Sequence, residues 1–535
     1  MEPAMTLKIT FAFASPREFA RDPSTSLLPL GLLGMGAALR RAGHAVTLVH
    51  LAQFRNADAV PLLAAGSPRI VGFSCFTYQR VQTLQIARRL KERTRPDGPL
   101  VLLGGPHASP LAGEILARCP WVDGVVQGEG EQTMLEIAER LERGADLAGT
   151  PGLWCRSGGA VIKGPPRPLL ERLDSLPSIA EADVTMLGVD PLLQLRHLVT
   201  GRGCSARCAF CYAPSAWHGC VRSHSVEWLI REIAALKKRR GLAYLSFRDD
   251  TFTDDLARTK ELCRRLVATG ADILWDCQSR VNRLDHETLA WMRRAGCVQI
   301  QLGVESGSDT VLKYLRKPFN AARLRSATAA CRRAGMRVSF YLICGVPGER
   351  KADLDATERL VAETRPASLV VSRLALFPGT ALGAAVPAAR WFEDPSDHLF
   401  ARSDRRAQAA AARLDALAAR VAAEEPFTVE ELERAAAELD DAPPALLSLA
   451  QLHERRDEVG AAIRVLGRAL EVRPGYLWAA LELGALLLEE GRAREALPHI
   501  ESVVERVPRW PYARECLDEA RARAGKKPAG RPARS

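Results

Sequence analysis

The sequence has little that would place it in a membrane, outside the cell or on nucleic acid. Its longest apolar run, Leu27 to Leu39, is broken by Pro29 and by glycines and is too short to cross a bilayer. The opening MEPAMTLKITFAFAS lacks the basic head and long apolar middle of an export signal, and is expected to begin the first strand. The net charge of +11 comes from 74 basic against 63 acidic residues, interleaved along the chain. The one compact basic stretch is GKKPAGRPARS at the end, expected to be disordered over 526–535. That distribution reads as a solvated, Arg-rich surface and not as a nucleic-acid footprint. Of 13 cysteines ten are scattered without a pairing pattern, which excludes a disulfide framework and points to a reducing cytoplasm.

What is present is alternation. LKITFAF, AVTLVHL, RIVGFSC, PLVLLGG and VDGVVQG read as short buried strands separated by helical stretches. Residues 1–150 are therefore expected to form a Rossmann-like parallel sheet, which takes ligands at the carboxyl ends of its strands. Gly104, Gly105 and His107 in GGPHAS and Gly128, Glu129 and Gly130 in GEGE fall at such ends. By themselves these glycines could equally serve only the strand-to-helix turns. Residues 151–190 read as a connector. From 191 to 395 the alternation resumes through LRHLVT, AYLSFRD, DILWDCQ, VQIQLGV, RVSFYLI and ASLVVSRLAL, and six such units suggest a partial (β/α)6 TIM-like barrel.

Strands then disappear. A helical linker is expected over 396–440 and helical repeats over 441–525. Pro474 and Pro508 are 34 residues apart, as are Ala462 and Ala496, and Ala450 and Gly484. That period resembles tetratricopeptide repeats, whose helix pairs bury their apolar faces by stacking and often grip a partner.

Three cysteines stand together in GRGCSARCAFCYAP, at 204, 208 and 211. Structural zinc wants four ligands, and only His218 and Cys220 lie nearby as candidates. A ferredoxin-type cluster wants four thiolates. Three thiolates on a cubane leave one iron open to a substrate or cofactor.

The triplet, with Phe210 before its last cysteine, resembles the cluster loop of radical S-adenosylmethionine enzymes. The resemblance continues through RDDTFTDD, WDCQSRVNRLD, QLGVESGSDTVL and YLICGVPGE. It implies that Cys204, Cys208 and Cys211 hold a 4Fe-4S cluster whose open iron is chelated by S-adenosylmethionine. One electron from the cluster would then cleave the sulfonium to a 5′-deoxyadenosyl radical, chemistry that belongs to the cofactor. By the same resemblance Phe210 and Tyr212 lie near cluster and adenine, and Asp249 and Asp250 near the methionine amino group. Arg280, after Gln278 and Ser279, would face its carboxylate. Glu305 would hold ribose hydroxyls or substrate, and Ile343 and Gly345 the adenine side. Each of these acids and Arg280 could instead be an ordinary ion-pair partner.

The front domain, with GGPHAS, GEGE and LDSLP, resembles the cobalamin-binding domain of one subclass of that family. No Asp-x-His occurs anywhere, so the signature that supplies a lower histidine to cobalt is missing, and His107 is expected nearer the nucleotide tail than the metal. The resulting expectation is a cobalamin-dependent enzyme that methylates an unactivated carbon of a small-molecule or peptide substrate. It would take electrons from a flavodoxin or ferredoxin, without nucleic acid or a membrane span. A cyclase or rearrangement enzyme with the same cofactors is the alternative. From another class comes a cobalamin or redox sensor acting through its repeat tail.

Overall fold

The computed structural model describes residues 6–15, 27–54, 56–94, 96–396 and 398–525, so the expectation for the 526–535 tail lies outside the described residues. The chain divides into two compact bodies.

The first body comprises Met1–His224 and Leu374–Ser403. Its sheet is built from β1 (Lys8–Phe13), β2 (Ala45–His50), β3 (Ile70–Ser74), β4 (Leu100–Gly104), β5 (Gly124–Val126), β6 (Leu153–Ser157), β7 (Ala160–Lys163) and β8 (Thr185–Leu187). The spatial order is β7-β6-β5-β4-β3-β1-β2-β8. β1 to β5 and β8 pair in parallel, and β6 and β7 add an antiparallel edge. All five residues of β3 are buried, as a parallel strand covered on both faces requires. The connection reverses direction between β1 and β3, which is the switch point where such sheets open a crevice.

The segment 151–190, expected as a connector, instead supplies β6, β7 and β8. Its short, half-exposed strands carry too few apolar positions to announce themselves. Two further features depart from the expected boundary at 191. β9 (His197–Leu198) is the edge of a six-stranded sheet, as expected for LRHLVT, but the short strands β10 (Gly201–Arg202) and β11 (Arg222–Ser223) belong to this body. So does the segment 374–403, which brings Trp391 and Leu399 into the front core beside Phe73, Ala108 and Leu111.

The second body comprises Ser225–Arg373 and Asp404–Ser535. Five strands, β12 (Tyr244–Phe247), β13 (Leu274–Ser279), β14 (Cys297–Glu305), β15 (Arg337–Cys344) and β16 (Ser368–Arg373), pair in parallel in chain order. The intervening helices start where the sequence offers caps: Ser225, Asp255, Asp285 and Asn320 each accept a hydrogen bond from a first-turn amide. One sheet face is apolar, carrying Phe247, Trp275, Ile300, Leu302 and Phe340. The other carries Ser246, Asp276, Gln301, Ser339 and Tyr341.

From Asp404 onward the expected 396–440 linker is part of this body. Helix Arg405–Ala422 packs along β16, and helix Val429–Glu438 leads into Pro443–Arg455, Val459–Val472, Leu477–Glu489, Ala493–Arg506 and Pro511–Arg523. A Cβ at Gly484 would stand 2.5 Å from Ile500 Cγ1, which explains the small residue repeated in the sequence period. The helices cover the N-terminal ends of the barrel strands. Asp272, whose side chain is 1% exposed, is held by Arg473 and Arg506, and Trp478 donates to its carbonyl. Buried Arg293 donates to Pro444 O, and Gly241 lies against Arg509 and Trp510. No helix among the described residues is long and apolar enough to cross a membrane.

Candidate functional site

The cysteine loop is closed at its base by pairing of β10 with β11, Gly201 opposite Ser223 and Arg202 opposite Arg222. Gly203 has φ +105°, and a Cβ there would meet Cys220 O at 2.0 Å, so no other residue fits the turn into Cys204. Cys204 is buried, Cys208 and Cys211 are half-buried, and all three pack with Ala206, Ala213 and Trp217. Cys220 is exposed. Among the described residues no three His, Cys, Asp or Glu side chains gather as a single-ion metal site. The donor set on the loop is three thiols of one segment, the set a cluster with one open iron takes.

Two acids of the front sheet grip this base. Arg202 donates to Glu129 Oε1 at 2.7 Å and to Glu131 Oε1 at 2.6 Å, while Arg222 reaches Glu129 Oε2 at 3.0 Å. Leu170 N adds a further bond, 2.7 Å from Glu129 Oε2. Burial alone would raise the Glu129 pKa, but the bonds from Arg222, Leu170 and Arg202 outweigh it and hold the carboxyl below its usual range. Glu129, expected to face a cofactor, thus has its carboxylate in this clamp. Sequence reasoning missed Arg202, although it stands two residues before Cys204.

The loop also meets the turn after β4. The Tyr212 hydroxyl bonds Ser109, and a Cβ at Gly379 would lie 3.1 Å from Pro110 and 3.2 Å from Tyr212. Leu382 N donates to Ala209 O at 3.0 Å, and the Ser215 hydroxyl to Gly379 O. Phe210 is half-buried on the same loop.

Gly104 and Gly105 end β4. Gly105 has φ +93°, and a Cβ would come within 2.9 Å of Cys75 O, so the β3 and β4 turns press together backbone to backbone. Gly128 and Gly130 flank Glu129 in the turn after β5, Gly128 opening to solvent. His107 turns inward and is 1% exposed. Its Nδ1 lies 3.1 Å from Thr77 Oγ1, its ring meets Trp391 edge-on, and its Nε2 has no hydrogen-bond partner. Burial, with help from Arg80, lowers its pKa to about 3, so the imidazole is neutral. At the β1/β3 switch point stands a chain of rings: Phe13 with Phe76, Tyr78 and His50, Tyr78 on His398, and His398 on Phe400. Phe76, Tyr78, His398 and Phe400 are half-buried. A wall of partly open rings beside glycine turns suits a large flat cofactor such as a corrin.

In the second body the remaining expected residues all fall at carboxyl ends of strands. Asp249, buried, and Asp250, exposed, follow β12. Ser279 ends β13 and bonds the Thr253 hydroxyl, and Arg280 ion-pairs with Asp254. Gln278 accepts Phe252 N at 2.9 Å through its carbonyl. Glu305 ends β14 with φ +64° at a register shift, a strained conformation for a non-glycine residue. Lys317 holds its carboxylate at 2.9 Å, with both side chains below 8% exposed. Ile343 is half-buried, and Gly345, φ +72°, donates to Glu349 Oε2 at 2.8 Å.

With this geometry in hand, comparison with known proteins is direct. Residues 198–361 match the family profile for the radical SAM superfamily, and residues 22–138 that for the B12 binding domain. An uncharacterised methyltransferase of Pyrococcus horikoshii is 30% identical over 342 residues, covering 62% of this chain and 72% of its own. The anaerobic magnesium-protoporphyrin IX monomethyl ester cyclase of Rubrivivax gelatinosus is 26% identical over 56% of this chain. Only 55% of that cyclase is spanned. Among solved structures, the cobalamin-dependent S-adenosylmethionine radical enzyme OxsB, with aqua-cobalamin and S-adenosylmethionine bound, superimposes with TM-score 0.61 at 16% identity. That match covers 98% of this chain and 81% of OxsB, and it carries the fold. The chain belongs to the radical SAM superfamily, in the branch that carries a B12-binding domain ahead of the barrel.

Proposed function

We propose that the chain is a cobalamin-dependent radical S-adenosylmethionine methyltransferase acting on an unactivated carbon of a small-molecule or peptide substrate. The observation that carries this reading is the clamp of Glu129 and Glu131 on Arg202 and Arg222. It ties the last glycine turn of the B12-type sheet to both strands beneath the cysteine loop, so the residues that would hold the cluster and those that would hold cobalamin share one compact body. When bound, the cluster would supply the electron that splits S-adenosylmethionine and cobalamin the methyl group to be transferred.

The residues of the chain hold and shield. Cys204, Cys208 and Cys211 would ligate the cluster, and Phe210 and Tyr212 would cover it. The ring wall and the turns at Gly105 and Gly128 would receive the corrin. Asp249, Asp250, Ser279, Arg280, Glu305, Ile343 and Gly345 would surround S-adenosylmethionine, with Arg280 oriented by Asp254. A flavodoxin- or ferredoxin-type donor and a reducing cytoplasm suit a cluster that must be reduced.

The test is composition and product. Reconstituted enzyme should hold about four irons and about one cobalamin per chain. With substrate it should release S-adenosylhomocysteine and 5′-deoxyadenosine in similar amounts. Iron without cobalamin sinks the methyl-transfer reading. The relationship to the cyclase supports a second reading, for which 5′-deoxyadenosine forms without S-adenosylhomocysteine. A sensor is discriminated by replacing the three cysteines, because cobalamin sensing should survive that change.

A further inference from the structure

The inner face of the second body is a wall of hydrogen-bonding side chains. At its centre Asp276 is 6% exposed and saturated by neutral donors. Tyr244 reaches its Oδ2 at 2.8 Å, and Ser246 and Gln301 reach Oδ1 at 2.7 and 3.1 Å. Because the Gln301 amide nitrogen is committed to Asp276, its oxygen points the other way. That oxygen accepts from the Tyr341 hydroxyl at 2.7 Å and from Arg248 Nη1 at 3.1 Å. Tyr341 also bonds Arg248 directly.

Arg248 is the odd member of this wall. It is half-buried at the carboxyl end of β12, held in place by an amide oxygen and a phenol. No carboxylate among the described residues comes within ion-pair distance of it. Neighbouring strand-end cations have carboxylate partners: Arg280 and Arg283 share Asp254, and Lys317 has Glu305. Arg248, half-buried, has no such carboxylate partner among the described residues. Its planar fork has more donors than these bonds use, and it matches a carboxylate or phosphoryl group bidentately. Asp276 does not fill that role, because Gln301 stands between them and neutral groups already satisfy it.

We propose that Arg248 is the receptor for an anionic oxygen group, carboxylate or phosphoryl, on the substrate that enters the barrel. The assignment rests on the proposed function for there being such a substrate, and it narrows the class: one end of that molecule is an anion. The methionine carboxylate of S-adenosylmethionine offers the same chemistry, so the experiment separates the two.

Cluster-reconstituted full-length protein, its R248Q variant and its R248K variant are titrated calorimetrically in low-salt buffer with inorganic phosphate, and separately with S-adenosylmethionine. Iron content and circular dichroism establish that the variants are folded. Phosphate affinity is expected to fall at least tenfold in R248Q and by a smaller factor in R248K, with S-adenosylmethionine affinity within threefold of native. Phosphate binding that is absent from the native protein, or equal in R248Q, overturns the inference. A tenfold loss of S-adenosylmethionine affinity in R248Q overturns the substrate assignment and gives the anion to the cofactor. Phosphate loss in R248Q together with failure of the native protein to bind cobalamin would leave the anion site standing and remove the methyltransferase reading.

Discussion

Replacing Arg202 with Met is the sharpest perturbation the clamp allows. Arg202 bridges two carboxylates whose side chains are 5% and 4% exposed, and is itself 14% exposed. Glu129 would keep Arg222 and Leu170 N, whereas Glu131 would lose its cation. Leaving a buried charge without its partner costs about 3–5 kcal/mol. The partial exposure of Arg202 puts this case near the low end. Glu131 also sits in the first turn of helix Glu131–Glu142, where the helix dipole returns roughly 0.3–1 kcal/mol. The net cost is about 2–3 kcal/mol, or roughly 30- to 150-fold in the equilibrium for opening the base of the cysteine loop. The assay is the rate at which a chelator strips iron from reconstituted enzyme. R202M should lose iron faster by that factor. R202K should fall between, since an ammonium cannot span both carboxylates as a fork does. A double variant, R202M with Glu131→Gln, should recover much of the loss, because Glu129 keeps Arg222 and no charge is then stranded. If R202M releases iron within about threefold of the native rate, the clamp does not hold the loop and the reasoning fails.

The buried neutral His107 makes the front body acid-sensitive. Its folded pKa of about 3 lies below the ordinary 6.5, so between those values the unfolded chain binds the extra proton and stability rises with pH. The unfolding free energy from urea titrations should fall as pH drops below 6.5, by up to about 1.4 kcal/mol per pH unit, and H107F should flatten that slope. Glu129 works in the same direction lower down, where its clamp is present above pH 4.5 and lost as pH falls through its depressed value. Gly203→Ala should abolish cluster incorporation, read as iron content, because its Cβ overlaps Cys220 O and its φ is positive. Asp272→Asn keeps a residue tolerant of φ +49° but strands Arg473 and Arg506. It should cost about 2–3 kcal/mol and raise protease cutting in the helical tail.

Much of this arrangement was legible in residue order. The strand runs LKITFAF and RIVGFSC became β1 and β3, the 34-residue period marked real helix pairs, and GRGCSARC marked the closed loop. Partnerships across long separations were not legible. Nothing local in GEGE says that its acids answer to Arg202 and Arg222, some 70 and 90 residues on. The half-exposed strands β6 and β7 lack the apolar density that signals a strand, because an edge can leave a face to solvent. Segment 374–403 gave no period at all, since it is held by single anchors such as Trp391. Arg248 was passed over inside FRDDTF because its distinction is an absent counter-charge, which only side-chain placement reveals.

The helices that cover the N-terminal ends of β12 to β15 give the barrel a floor. A tube open at both ends could admit substrate at one and discharge product at the other. A floored cup has traffic in both directions at its rim. Whatever is made inside must leave before the next molecule enters, so product should compete with substrate for the same vacancy, and turnover should slow as product accumulates even while cofactors remain plentiful.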